Sequence, residues 1–167
     1  GKKLYQRLVL DQGFYPNGIW TAPSDKDLKN DIILSMKAGF NGARLHEKVF
    51  EDRFHYWADK LGYITWAEFP NWGMNENAKA SETYFLREWP RIVHYLKNHP
   101  SIITWTPFNE TNTLECNAQH KKLMRIAYDV TKKIDPTRPV NETSGYQHQK
   151  TDIWTVHHYE PIPEKLN

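Results

Sequence analysis

The feature that most constrains the fold is a repeating rhythm in which short β-prone runs alternate with amphipathic helical stretches. The β-prone runs are residues 4–10, 42–46, 63–69, 102–108, 138–141 and 153–157. The stretches between them carry apolar residues at helical spacing: Leu28, Ile32 and Met36; Phe54, Trp57, Ala58 and Leu61; Leu86, Ile92, Val93 and Leu96; Leu123, Ile126, Ala127, Val130 and Ile134. Strands that recur after helices form parallel βαβ units, so the chain is expected to be α/β, either an open doubly wound sheet or part of a (β/α)8 barrel. No glycine-rich phosphate loop follows the first run, which counts against the nucleotide-binding form.

Punctuation residues set the expected boundaries. Ser24-Asp25-Lys26-Asp27 has a capping-box layout with Asp at its last position, and Gly39 and Gly62 close the first two helices. Ser81 is expected to cap the third helix, with Pro90 kinking it or starting a new one. Asp135-Pro136 stops the fourth, which is entered through a loop at Thr111-Asn112-Thr113.

Polar residues gather where the apolar runs end: Asp11 and Gln12, Arg44 and His46, Glu68, Asn109 and Glu110, Asn141 and Glu142, His157 and Tyr159. In a parallel barrel those ends converge on one rim, the usual place for a site. The run Ile102 to Phe108, apolar and β-branched, ends abruptly in Asn109-Glu110, which places an amide and a carboxylate on a rigid element near solvent. Glu110 could equally open the next loop, and Arg44 or Glu68 could form a buried ion pair.

Composition narrows the chemistry. The net charge is +2 with no Lys/Arg cluster, so a nucleic-acid partner is not expected. No apolar run approaches the roughly 20 residues that span a bilayer, and a membrane role is not expected either. The single cysteine, Cys116, allows neither an internal disulfide nor a multi-thiolate metal site. His148, His157 and His158 lack recognised ligand spacing, and no metal or cofactor is expected. The chain starts at Gly1 without an initiator Met or a leader profile. It reads as a single domain over 1–167, excised from a longer multidomain protein, and its localisation is left open.

The block Asn98-His99-Pro100-Ser101-Ile102-Ile103-Thr104-Trp105, running on to Asn109-Glu110, resembles the acid/base segment of glycoside hydrolase family 2. That group holds the β-galactosidases, β-glucuronidases and β-mannosidases. Asp31 to His46, Trp57 to Tyr63 and Asp135 to Val140 resemble the same family's approaches to its second, third and fifth strands. The resemblance implies an incomplete (β/α)8 TIM barrel with about six of its eight βα units, and hydrolysis of terminal β-glycosides with retention.

Carried over residue by residue, the resemblance makes Glu110 the general acid/base and Asn109 a ligand of the sugar 2-hydroxyl. Arg44 and His46 match second-strand positions that contact the active-site carboxylates or the sugar. His157 and Tyr159 follow the sixth strand, and Trp72 could stack on a sugar ring. The acid must keep its proton near neutral pH, which apolar walls and a second carboxylate achieve; Trp105 and Phe108 are candidate walls. The family's nucleophile follows a seventh strand, beyond the six counted here, and neither Glu142 nor Glu160 takes its place. Glu68 paired with Glu110 as an inverting couple is the lesser alternative. A magnesium site near the acid/base, known in some members, has no matching Glu-x-His in this chain. The expected partner is a carbohydrate, with a β-galactoside ahead of a glucuronide or mannoside, and the rival reading is a non-catalytic carbohydrate-binding barrel. Open barrel edges are expected to favour oligomerisation.

Overall fold

The computed structural model describes residues 3–111 and 116–165. Four strands, β1 (Leu8–Asp11), β2 (Gly42–Leu45), β3 (Ile64–Glu68) and β4 (Ile102–Thr106), form a parallel sheet in sequence order. Helices α1 (Asp25–Lys37), α2 (Asp52–Leu61) and α3 (Lys79–Leu96) fill the crossovers, as the rhythm of the sequence required. The chain then continues through β5 (Phe108–Asn109), α4 (Ala118–Ile134) and β6 (Thr143–Ser144), with a short 3-10 turn at Pro163–Lys165. Strand order without reversal, with helices between, is the layout of an incomplete (β/α)8 barrel.

Pro107 splits the expected run 102–108. It has no N–H to donate to a ladder, and the pairing with β3 ends there. Before it, β4 pairs with β3; after it, β5 pairs in parallel with β6. The expected fifth strand at 138–141 is reduced to one bridge, Trp105 to Val140, and its ladder forms later, at β6. The first strand begins at Leu8 rather than Leu4.

The sixth strand, 153–157, does not form. Its backbone is held by side chains instead: the Thr155 N–H donates to His148 Nε2 at 3.1 Å and the Ile153 N–H to Thr151 Oγ1 at 3.3 Å. Trp154 and Val156 stay exposed. An apolar β-prone run is insufficient when its backbone groups are satisfied by side chains rather than by a neighbouring strand.

Ser24 caps α1 as expected, accepting from the Asp27 N–H at 3.3 Å. Ser81 does not cap α3; the cap position is Ala78, and Ser81 lies buried inside the first turn. Pro90 neither ends nor restarts α3, which runs unbroken to Leu96 with Phe85, Trp89 and Val93 fully buried on its inner face. The loop expected at Asn112 and Thr113 lies outside the described residues.

Two apolar clusters support the sheet. One joins Phe85, Trp89 and Val93 of α3 to Leu123, Met124 and Ala127 of α4 over Trp105 and Phe108. The other packs Leu28 and Ile32 of α1 on Phe54 and Ala58 of α2 and on Ala43 and Leu45. Gly42 is required by close packing, since a Cβ there would stand 2.2 Å from the Ile64 carbonyl oxygen.

The stretches that lead into the strands, around Asp59, His99, Ser101, Asp135 and Arg138, are scaffold. Asp59 accepts from His99 Nδ1 at 2.7 Å and from the Ser101 N–H at 2.9 Å. Arg138 donates to the carbonyls of Lys97 and His99 and to Asp135, which also accepts from Trp105 Nε1 at 2.9 Å. Among the described residues, no helix is long and apolar enough to cross a membrane.

Candidate active site

Glu110 follows β5 directly, and its backbone sits at φ +45°, in the left-handed region that non-glycine residues rarely adopt. Its N–H donates to the Ser144 carbonyl at 2.8 Å, so the pairing of β5 with β6 holds the turn. Strain of this kind, on the order of 1–3 kcal/mol, persists where the surroundings over-determine a conformation, and it clusters at functional sites. The carboxylate oxygen Oε1 accepts from His157 Nδ1 at 2.6 Å and from the Tyr159 hydroxyl. With its proton on Nδ1, His157 uses Nε2 to accept from Ser144 Oγ at 2.9 Å and from Arg44 at 3.4 Å.

Arg44, on β2, spans the floor. Its Nε and Nη2 donate to the two oxygens of Glu68 at 2.7 and 3.0 Å, and Nη2 also donates to Asn109 Oδ1. Glu68 has no exposed side-chain surface, so the ion-pair reading of Arg44 and Glu68 is the one the structure adopts. Burial lifts the Glu68 carboxyl to about 7, against the opposing pull of Arg44. Committed in this way, Glu68 is not free to serve as the second member of an inverting couple. Asn109 is buried, and with Oδ1 facing Arg44 its Nδ2 has no partner among the described residues, a donor in reserve.

His46 accepts through Nδ1 from Gln12 Nε2 at 2.9 Å and meets the Trp72 ring edge to face at 5.0 Å. Burial, aided by Arg44, lowers its pKa to about 4, so it is a neutral imidazole at pH 7. Trp72 is 60% exposed and stands over the mouth. Arg44, His46, Trp72, Glu110, His157 and Tyr159 line one cleft of about 390 Å³, so five of the six other predicted site residues gather around Glu110, with Asn109 buried behind Arg44. Glu110 is the carboxylate in that cleft's described lining.

Several expectations need correction. Trp105 and Phe108 do not wall the carboxylate; both are fully buried in the core against Trp89 and Phe85. Burial does push the Glu110 pKa upward, but the bonds from Tyr159 and His157 outweigh it, and the net direction is downward. Asn141 and Glu142 are interior rather than on the rim. Glu142 accepts from His148 Nδ1 at 2.8 Å and from the Gln149 and Lys150 N–H groups at 2.5 and 3.1 Å, which anchors the loop after β6. His148 is thereby separated in role from His157.

Sequence reasoning missed Asn71 and Glu47. The Asn71 side chain accepts from the Asn109 N–H at 2.8 Å and donates to the Asn109 carbonyl at 3.4 Å, so it fixes the strand end behind the site. Nothing in a Pro-Asn-Trp-Gly loop advertises that contact. Glu47, at φ +55°, accepts from the Trp72 N–H at 2.8 Å, and burial raises its pKa to about 7. Among the described residues, His46, Glu47 and Glu68 bring ligand atoms within 4.8 Å of one another. The Arg44 guanidinium already neutralises Glu68 there, so a cation would have to displace it.

The parallel sheet thus presents, at its strand ends, a tethered carboxylate with an arginine-paired glutamate beneath it and an aromatic at the mouth, the place where (β/α)8 barrels carry their sites. Residues 21–166 match the model of the glycosyl hydrolases family 2 TIM barrel domain, and the chain belongs to that family. A β-galactosidase of Psychromonas ingrahamii is 33% identical over 141 residues, covering 79% of this chain and 13% of the relative. A β-glucuronidase of Bacteroides fragilis is 28% identical, covering 84% and 23%. The solved Bacteroides uniformis β-glucuronidase 2 superposes with a TM-score of 0.72 at 25% identity, over 84% of this chain and 18% of that one. The chain thus spans less than a quarter of the length of these relatives.

Proposed function

We propose that this chain is the part of a retaining β-glycosidase that carries the general acid/base, Glu110. One observation supports this most directly: the carboxylate in the described lining of the cleft sits on a strained strand end, inside the segment typical of the family, tethered by His157 and Tyr159. In this reading Asn109 offers its unpartnered Nδ2 to the sugar 2-hydroxyl, Arg44 orients Asn109, His46 and His157 border the sugar, and Trp72 covers it. Glu110 gives its proton to the leaving oxygen as the glycosidic bond breaks and recovers one from water in the second half-reaction. The hydrogen bonds that depress its pKa here stabilise the ionised form. A nucleophilic carboxylate about 5–5.5 Å away would oppose them by like-charge repulsion.

We assign that nucleophile to sequence outside these 167 residues, and we take a β-galactoside as the leading substrate with a β-glucuronide next, since relatives of both names match. The test is Glu110→Gln in the full-length polypeptide. Loss of general acid/base catalysis is expected to lower kcat on nitrophenyl glycosides by about 10²–10⁴ with sugar binding retained. An unchanged kcat would refute the assignment and favour the rival non-catalytic, carbohydrate-binding barrel. The 167-residue chain alone is expected to show little or no turnover.

A further inference from the structure

The loop between β1 and α1 holds large apolar side chains out in solvent. Phe14 and Trp20 are 64% and 51% exposed, and their rings lie within 10° of parallel with centroids 6.2 Å apart. The backbone beneath them is tightly built. Tyr15 and Ile19 exchange N–H to carbonyl bonds of 2.8 and 2.9 Å across a turn, and Ile19 is held at φ +56°, a conformation that a β-branched residue rarely adopts. Buried Lys48 donates from Nζ to the Gly13 carbonyl at 3.2 Å and to the Trp20 carbonyl at 2.9 Å, while Asp11 Oδ1 accepts from the Gly13 N–H at 2.8 Å. A frame that bears backbone strain in order to keep two flat rings wet marks a surface that meets something.

Phe14 and Trp20 line a cavity of about 370 Å³ together with Gln12, His46, Glu47 and Trp72. Gln12, His46 and Trp72 also line the cleft that contains Glu110, so the two spaces share a sill. Of the two, only the cleft has Glu110 in its described lining. The cavity is walled from the ends of β1, β2 and β3, whereas Glu110 follows β5, across the mouth. A general acid gives its proton to the oxygen that joins the retained sugar to the departing group, so departure takes place on the Glu110 side. A space on the opposite side, past the His46 and Trp72 rings that border the sugar, is filled by whatever is attached to the retained sugar itself.

We propose, resting on the β-glycosidase reading, that this cavity holds a second sugar carried by the retained one, so that the chain serves cleavage behind a disaccharide rather than behind a single terminal sugar. A pyranose presents a face of C–H groups that flat aromatic rings cover well, and its hydroxyl edge stays in water at an open rim. The stacked pair supplies the rings, and the strained turn and Lys48 keep them in place before the substrate arrives, which lowers the cost of ordering on binding. An anionic substituent such as a phosphate fits less well: the charged residue in the described lining is Glu47, a carboxylate.

The experiment uses the full-length polypeptide and compares p-nitrophenyl β-glycosides of a monosaccharide and of disaccharides, with galactose and glucuronate each tried as the inner sugar and a panel of linkages for the outer one. For at least one disaccharide, nitrophenol release is expected to leave the intact disaccharide as the first product by mass spectrometry. Phe14→Ala and Trp20→Ala are each expected to lower the ratio of kcat/KM for that disaccharide over the monosaccharide glycoside about tenfold, and Trp20→Phe, which keeps a ring, to lower it less. The product analysis needs no variant and so stands if a substitution disturbs the loop. Removal of the outer sugar before nitrophenol from every disaccharide, refusal of them all, or variants that affect both substrates equally would overturn the inference while sparing the glycosidase reading. Failure of the wild type on every glycoside would overturn both.

Discussion

Replacing Arg44 with Met isolates what the arginine contributes. The change keeps most of the aliphatic stem but removes both donors from Glu68, whose side chain has no exposed surface, and one from Asn109. Breaking a buried pair from one side leaves an uncompensated charge and typically costs about 3–5 kcal/mol. For a domain of this size, 1 kcal/mol moves Tm by about 2–4 °C, so the loss should be about 6–20 °C. The penalty must depend on pH. The Glu68 carboxyl is lifted by burial to about 7 even with Arg44 beside it, and without the guanidinium it rises further. A carboxyl whose folded pKa exceeds its unfolded value contributes stability below the unfolded pKa and loses it as pH rises through the folded one. Protonated Glu68 needs no cation, so the variant should lose less at pH 5 than at pH 8. Urea denaturation at the two pH values measures this, and Arg44→Met/Glu68→Gln should recover part of the loss at pH 8. A single variant within about 1 kcal/mol of wild type at pH 8, or one more damaged at pH 5, would refute the reasoning.

Two further predictions concern the frame around the site. Gly145→Ala must place a Cβ at φ +79° and within 2.7–2.9 Å of the His157 ring; it should cost about 1–2 kcal/mol in backbone strain alone and push His157 off Glu110, seen as a lower Tm and a shifted His157 resonance by NMR. Asp135→Asn weakens the lock on Trp105 and Arg138. Burial pushes the Asp135 carboxyl upward, but the hydrogen bonds from Thr137, Trp105 and Arg138 hold it well below the usual range, so its contribution is present above the unfolded pKa and lost as pH falls through the folded one. The variant should be destabilised at pH 7 by about 1–3 kcal/mol, with the gap to wild type narrowing as pH falls from about 4 toward 2, by chemical denaturation; an equal loss at pH 7 and pH 2 would refute the charge-based account.

Much of the fold is legible in the chain because burial on both faces of a parallel strand leaves a run of β-branched and aromatic residues, and an amphipathic helix leaves a stripe. Residues 42–46, 63–69 and the four helices were readable on that basis. The segment 153–157 was not, because its N–H groups go to the Thr151 and His148 side chains instead of a neighbouring strand, which hydropathy does not report. The break at Pro107 inside the expected run 102–108, where pairing with β3 ends and pairing with β6 goes on, was decided by the fold.

For the site, the sequence by itself determined which polar residues end the apolar runs, and Arg44, His46, Asn109, Glu110, His157 and Tyr159 do come together, the last two without the strand expected before them. Their roles depended on the tertiary structure. Which acceptor Arg44 faces, why Glu110 is held ionised, and that Asn71 and Gly145 stand behind the carboxylate all depend on contacts between residues tens of positions apart. Local propensity fixes a residue's place along its own element; the charge it meets across the barrel mouth is fixed only when the elements pack.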